Sequence, residues 1–307
     1  MKIINSIIII FFSTFLFRAV PVQGHAGNAL TDAGGRSIQV DAPYTRIISL
    51  YGAHTRNLKA LGLDDEIIGI CPLDRWAGKP KFSYHDGLEK FMAARPDLVL
   101  IRPMIDRAYT ALVTGMERAG IVVVSLQPGN VDEMFDYWPA LGTLTGRIDQ
   151  ARQMVTAFKD EIARISAVTR AIPDKKQVYF EAIHSRMKTF TPGSMAVFAL
   201  ETAGGVNIAR DAPSVRGTNI AFYGKERILS HAHEIDVFLA QKGAMNQPTI
   251  EMIKNEPGFD VIRAVKENQI FIVDEKIVSR PTMDLLKGIY TIAEMLYPGI
   301  LEKGGVQ

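Results

Sequence analysis

A single cysteine, Cys71, stands among the 307 residues. One thiol cannot build a disulfide framework, a Cys-rich zinc site or a Cys-ligated iron–sulfur cluster. Neither sign of charge predominates: 35 lysines and arginines face 33 aspartates and glutamates, with no basic tail or stripe to argue for nucleic acid. After the first segment, no apolar run is long enough to cross a bilayer. Motifs of covalent chemistry are also missing. The six histidines form no HExxH pattern, Ser194 lies in PGSMAV rather than a GxSxG elbow, and Gly204-Gly205 with Asn207 is not a phosphate loop. No spacing marks a general acid/base pair, so the expectation is a binding protein and not an enzyme.

What is present is an ordinary globular composition, 47% hydrophobic and 22% charged, with enough chain for one large or two smaller cores. Lys2 precedes an apolar run from Ile3 to Phe17; Arg18 follows, and small residues lead to an exit after Gly24 or Ala26. This predicts a secretory signal peptide over residues 1–26 and a periplasmic mature protein. An uncleaved membrane anchor is the alternative, but the run is short for one. Loss of Lys2 and Arg18 leaves 33 basic against 33 acidic residues. Cys71 lies too far along to be lipidated at the new N-terminus.

Residues 27–37 read as a leader. Short apolar strands are then expected at 47–50, 67–70, 98–101 and 121–126, alternating with helices at 55–61, 88–94 and 108–118. That alternation implies a mainly parallel α/β sheet covered on both faces. From Gly146 to Arg170, apolar residues return at spacings of three and four, which predicts one long amphipathic helix. Strands at 178–183, 236–240 and 270–273 and helices at 194–202 and 283–297 follow. PDLVLI at 96–101 and IDVFLA at 235–240 echo each other. The organisation read from this is an N-terminal lobe over 27–145, a connecting helix over 146–172 and a C-terminal lobe over 173–307, with a ligand cleft between the lobes. A crossover helix within one continuous sheet is the competing arrangement.

Ligands on open α/β sheets gather outside the C-terminal strand ends. The residues there include Tyr51, His54, Trp76, Arg102 and Met104 in the first half, and His184, Arg186, Tyr223 and Arg280 in the second. Arg102 and Arg280 each follow an apolar strand region and directly precede proline, which restricts the loop that carries the guanidinium. With the aromatic and Met side chains they suit a bulky ligand with an apolar body and anionic edges. His54 and His184 are the candidates for contact with a metal, directly or as axial partners of a bound complex. His231 and His233 are a weaker pair. Cys71 reads as a small buried thiol.

The order of RIISLYGAHTRNLKALGLDDEIIGI at 46–70, LEKFMAARPDLVLI at 88–101, the long helix after Gly146, ETAGGVNIA at 201–209 and IFIVDEKIV near the C-terminus resembles the periplasmic binding proteins of ABC importers for iron chelates, haem and corrinoids. The resemblance implies two Rossmann-like lobes joined by one stiff helix, no intrinsic cofactor, and a monomer. It would hold an iron chelate, haem or a corrinoid between the lobes and dock on a membrane permease. A ferric siderophore or related iron complex leads. Binding or sensing of cobalamin, haem or another organic solute, without that import partner, is the alternative. In the family an acidic residue after the first strand helps docking; here the position is Arg56, with Glu226 as the counterpart in the second lobe. Arg56 therefore puts the partner in more doubt than the ligand.

Overall fold

In the computed structural model, residues 28–303 are described, with Arg216 excepted; the signal peptide expected over 1–26 lies outside them. The chain starts with a hairpin, β1 (Asn28–Thr31) and β2 (Ser37–Val40), where the sequence suggested only a leader. Alternate burial along β2 is the signal for it: Ile38 and Val40 point inward, Ser37 and Gln39 outward. Asp32 holds the turn by accepting from the backbone N–H of Gly34 and Arg36, and Arg36 reaches across to Asp106 at 2.8 Å.

The first lobe follows as β3 (Ile47–Ser49), α1 (Gly52–Ala60), β4 (Ile67–Ile70), α2 (Leu88–Ala94), β5 (Leu98–Ile101), α3 (Pro103–Ala108), α4 (Thr110–Arg118) and β6 (Val122–Ser125). Its parallel sheet runs β4-β3-β5-β6. Then come α5 (Val131–Thr145) and α6 (Ile148–Thr169), which pack against each other. The second lobe contains β7 (Gln177–Ile183), β8 (Lys188–Phe190), α7 (Met195–Thr202), β9 (Val206–Asn207), β10 (Ile220–Phe222), α8 (Lys225–Ser230), β11 (Val237–Lys242), α9 (Ile250–Lys254), α10 (Arg263–Lys266), β12 (Ile270–Asp274), α11 (Glu275–Val278), α12 (Asp284–Leu296) and α13 (Ile300–Lys303).

The second sheet repeats the first. Its parallel part runs β9-β7-β11-β12, the counterpart of β4-β3-β5-β6, with β8 and β10 added antiparallel and parallel to β7 respectively. The likeness extends to single atoms. Asp97, just before β5, accepts from the N–H groups of Thr45 and Arg46 at 2.8 and 2.9 Å, and Asp236, just before β11, accepts from Gln177 N–H at 2.8 Å. Each aspartate thus ties the start of its strand to the neighbouring one.

The expected long helix is α6, 22 residues and so about 33 Å long. It does not cross within one sheet; it lies between two sheets, packing on α5 at one side and on α7, α12 and α13 at the other. Helix α5 was not anticipated. Pro139 lies inside it, yet the helix starts from a reciprocal cap in which Asn130 accepts from Glu133 N–H and donates to the Glu133 carboxylate. A single apolar core joins Leu98 and Leu100 of the first sheet to Val178 and Phe180 of the second through Trp138 and Phe158. Two N-terminal donors, Asn57 Nδ2 (2.9 Å) and Trp138 Nε1 (3.3 Å), converge on the carbonyl of Pro281 in the other lobe.

Candidate functional site

Tyr51 caps α1 in an extended conformation, and the first turn of that helix carries no acidic residue. Next to it, Gly52 leaves room for a contact between lobes. A Cβ at this position would fall 2.5 Å from Arg280 Nη1 and 2.6 Å from Asp74 Oδ1, so any side chain would push the arginine away. Arg280 also donates to Glu275 at 3.2 Å. From the first lobe, Arg102 places its guanidinium 4.6 Å from the centre of the Tyr51 ring, a cation–π contact. Its Nε is buried without a hydrogen-bond partner. The two arginines, 178 positions apart in sequence, thus lie at consecutive residues, Arg102 on Tyr51 and Arg280 over Gly52. Burial pushes the Tyr51 phenol up, against the opposing pull of Arg102 and Arg280.

Beside this contact lies a cavity of about 310 Å³ between the lobes, with Gly52, Thr55, Trp76 and Arg280 in its wall. Five basic side chains line it against two carboxylates, Asp74 and Asp284, so its field favours an anion. Thr55 holds Asp74 in place by donating to Oδ2 at 2.7 Å. Lys59 places its ammonium 3.5 Å from the centre of the Trp76 ring. Thr55 and Lys59 lie one turn apart on α1, and Gly52 one turn earlier, so helical spacing alone puts them on one face. That spacing would have picked out Lys59, which strand-end reasoning passed over. Glu275, Lys276 and Thr282 had no such local signal.

The other sequence-derived candidates are distributed differently. His54 is fully buried on the inner face of α1, with Nδ1 2.6 Å from Tyr137 Oη and Nε2 3.1 Å from the Ile101 carbonyl. A carbonyl only accepts, so Nε2 carries the proton and Nδ1 accepts from tyrosine. Both nitrogens are thereby engaged inside the first lobe. His184 sits in the turn after β7, with Nδ1 2.9 Å from buried Glu181, which raises its pKa by hydrogen bonding. Among the described residues, no group of three His, Cys, Asp or Glu side chains is placed to hold a metal ion. Met104 and Arg186 are exposed at strand ends of the two lobes. Tyr223 is buried in the outer core of the second lobe, its ring centre 5.7 Å from that of Tyr179 and Arg227 packed over it. Arg56 forms a two-pronged pair with Asp284 across the lobes, at 2.7 and 2.8 Å, rather than standing free. Glu226 is exposed in the first turn of α8.

His54 makes folding pH-dependent. Burial lowers its pKa from 6.5 to about 4, so the fold accepts it neutral. The stability due to this group is complete above pH 6.5 and is lost as the pH falls towards 4, by up to roughly 3 kcal/mol. Urea unfolding of the parent and of His54→Gln between these pH values will show the extra loss in the parent alone. Equal slopes would remove His54 as its source.

A family model described as periplasmic binding protein matches residues 47–277. Among curated proteins, an uncharacterized ABC transporter substrate-binding lipoprotein, YvrC of Bacillus subtilis, is 23% identical over 279 residues, covering 88% of this chain and 85% of that protein. Among solved structures, a possible iron-binding (periplasmic solute-binding) protein from Staphylococcus epidermidis is 27% identical with a TM-score of 0.71, over 83% of this chain and all of that one. The periplasmic haem-binding protein HutB of Vibrio cholerae has a TM-score of 0.72 at 15% identity, over 83% and 99% of the two chains. At that identity the likeness is one of fold.

Proposed function

Given that the chain belongs to the periplasmic binding protein family, whose members carry solutes to ABC importers without transforming them, we propose that its cargo is an anionic metal chelate, with a ferric siderophore first. The observation that supports this is that Arg102 on Tyr51 and Arg280 over the adjacent Gly52, from opposite lobes, meet beside a cavity whose basic wall includes Arg280. A bare cation would meet repulsion there and lacks a ligand set. The Staphylococcus relative, described as a possible iron-binding protein, agrees with the reading. In this proposal Tyr51, Trp76, Arg102 and Arg280 form the contact surface, with Met104 and Arg186 at its rim. His54 and Tyr223 support the lobes from within. Calorimetric titration with ferric hydroxamate, catecholate and carboxylate chelates, haem and cobalamin tests it. Tight binding of a ferric chelate is expected; binding of haem or cobalamin alone would replace the iron chelate by the other ligand class.

For docking, the repeated lobes suggest a different acidic pair from the one first expected. Arg56 is occupied by Asp284, but α2 and α8 are equivalent: each is the helix leading to the third strand of the parallel part of its sheet, β5 and β11. Gly87-Leu88-Glu89-Lys90-Phe91 and Gly224-Lys225-Glu226-Arg227-Ile228 align, with Phe91 and Ile228 both fully buried. Glu89 and Glu226 are both exposed, and neither takes part in an ion pair among the described residues. We therefore assign permease docking to this pair. Glu89→Lys with Glu226→Lys is expected to abolish binding to the reconstituted importer while leaving calorimetric ligand affinity unchanged. Retained importer binding would reject the pair.

A further inference from the structure

Phe222 ends β10 with its side chain turned outward. Ala221 and Tyr223 on either side are buried, whereas Phe222 is 56% exposed. Strand alternation assigns that face to solvent. Because β10 runs parallel to β7, its end lies at the ligand-facing edge of the sheet. The ring also has a charged neighbour. A Cβ on Gly224 would lie 3.4 Å from Phe222 Cζ and 3.5 Å from Glu226 Oε2, so the ring and the carboxylate flank one glycine. The adjacent cation does not neutralise Glu226: Arg227 pairs with Asp211 and lies over the Tyr223 ring at 4.3 Å.

We propose that Phe222 and Glu226 together form a receptor for one arginine side chain of the importer's permease. The inference rests on the docking role proposed above for Glu226. A carboxylate beside an aromatic face suits guanidinium more than ammonium. The planar cation can direct its N–H groups at the oxygens while its weakly hydrated face covers the ring. The ring thus adds attraction that depends less on ionic strength than the charge pair does, because a contact buried on docking is screened less than one in water. The same offset in the first lobe falls on His85, whose ring is grouped with Tyr84 and Tyr109 at 4.5 and 5.2 Å. Both docking points then carry a ring four residues before the carboxylate, but of different chemistry.

The test uses the full chain and its cognate ABC importer reconstituted in nanodiscs, at about 50 and about 500 mM salt. Phe222→Ala and Phe222→Leu are expected to weaken docking by about 5- to 20-fold, with the loss persisting at the higher salt, and Phe222→Trp to retain affinity. Leucine maintains an apolar strand end, so its loss of docking would separate ring recognition from a folding defect. Parent-like docking by both variants, with Glu226→Lys still inactive, would overturn the role of the ring while leaving Glu226 in place. Full docking by Glu226→Lys would remove the reading on which the proposal rests.

Discussion

Replacing Arg102 or Arg280 by alanine will weaken binding of a ferric chelate by about 1.5–3 kcal/mol each, roughly 10- to 150-fold, if the ligand's anionic edge meets the guanidinium out of water. The two should not act alike in the unbound protein. Arg280 is held by Glu275 and lies over Gly52, so an incoming anion must compete with a carboxylate already in place. Arg102 has no acidic partner in an ion pair among the described residues and a buried Nε without an acceptor, so it is the readier donor. Lysine at position 102 keeps the charge but loses the fork and the guanidinium contact with Tyr51, and should recover only part of the affinity. Calorimetry on Arg102→Ala, Arg280→Ala and Arg102→Lys decides this; unchanged affinity in both alanine variants would exclude the arginines from the site.

Trp138→Ala is expected to lower unfolding stability by about 3–5 kcal/mol, the effect of deleting a large buried ring. The indole is fully buried, meets Phe158 edge-on at 5.4 Å and donates to the carbonyl of Pro281 in the opposite lobe. Trp138→Phe keeps much of the packing and drops one hydrogen bond, for which about 1 kcal/mol is the usual scale. Asn57 still supplies the Pro281 carbonyl with a donor, so that oxygen is not orphaned in either variant. Urea titration with fluorescence and circular dichroism measures both changes. A loss below 1 kcal/mol for alanine would mean that the lobes do not depend on this ring.

The two arginines were legible because each stands where an apolar strand region gives way to proline, a local pattern with a definite backbone consequence. Their convergence was not, since the seat for Arg280 is a missing side chain at Gly52 in the other lobe. The inward turn of His54 has a geometric reason that the sequence did not show. Helix α1 starts at Gly52, three residues before the expected start at Thr55, and this turns His54 inward with Ala53, Asn57 and Leu58. Helix α5 was hidden by Pro139, which reads as a break but is tolerated within a well-capped helix packed on α6. The hairpin at the start was readable from the alternation in SIQV, but the Gly- and Asp-rich turn drew attention away from it. The repeated lobes were visible only as PDLVLI and IDVFLA. The matched sheet orders and the paired roles of Asp97 and Asp236 required three-dimensional neighbours.

The apolar core that runs unbroken through Trp138 and Phe158 has a kinetic consequence. This shared core resists parting of the halves, and in the site proposed above exchange of cargo falls to the movements of individual side chains, chiefly the release of Arg280 from Glu275. Such rotamer changes occur in nanoseconds, far faster than hinge opening. In that proposal residence time is governed by how firmly the cargo itself is held, and a membrane partner would extract it by displacing those side chains rather than by prising the molecule apart.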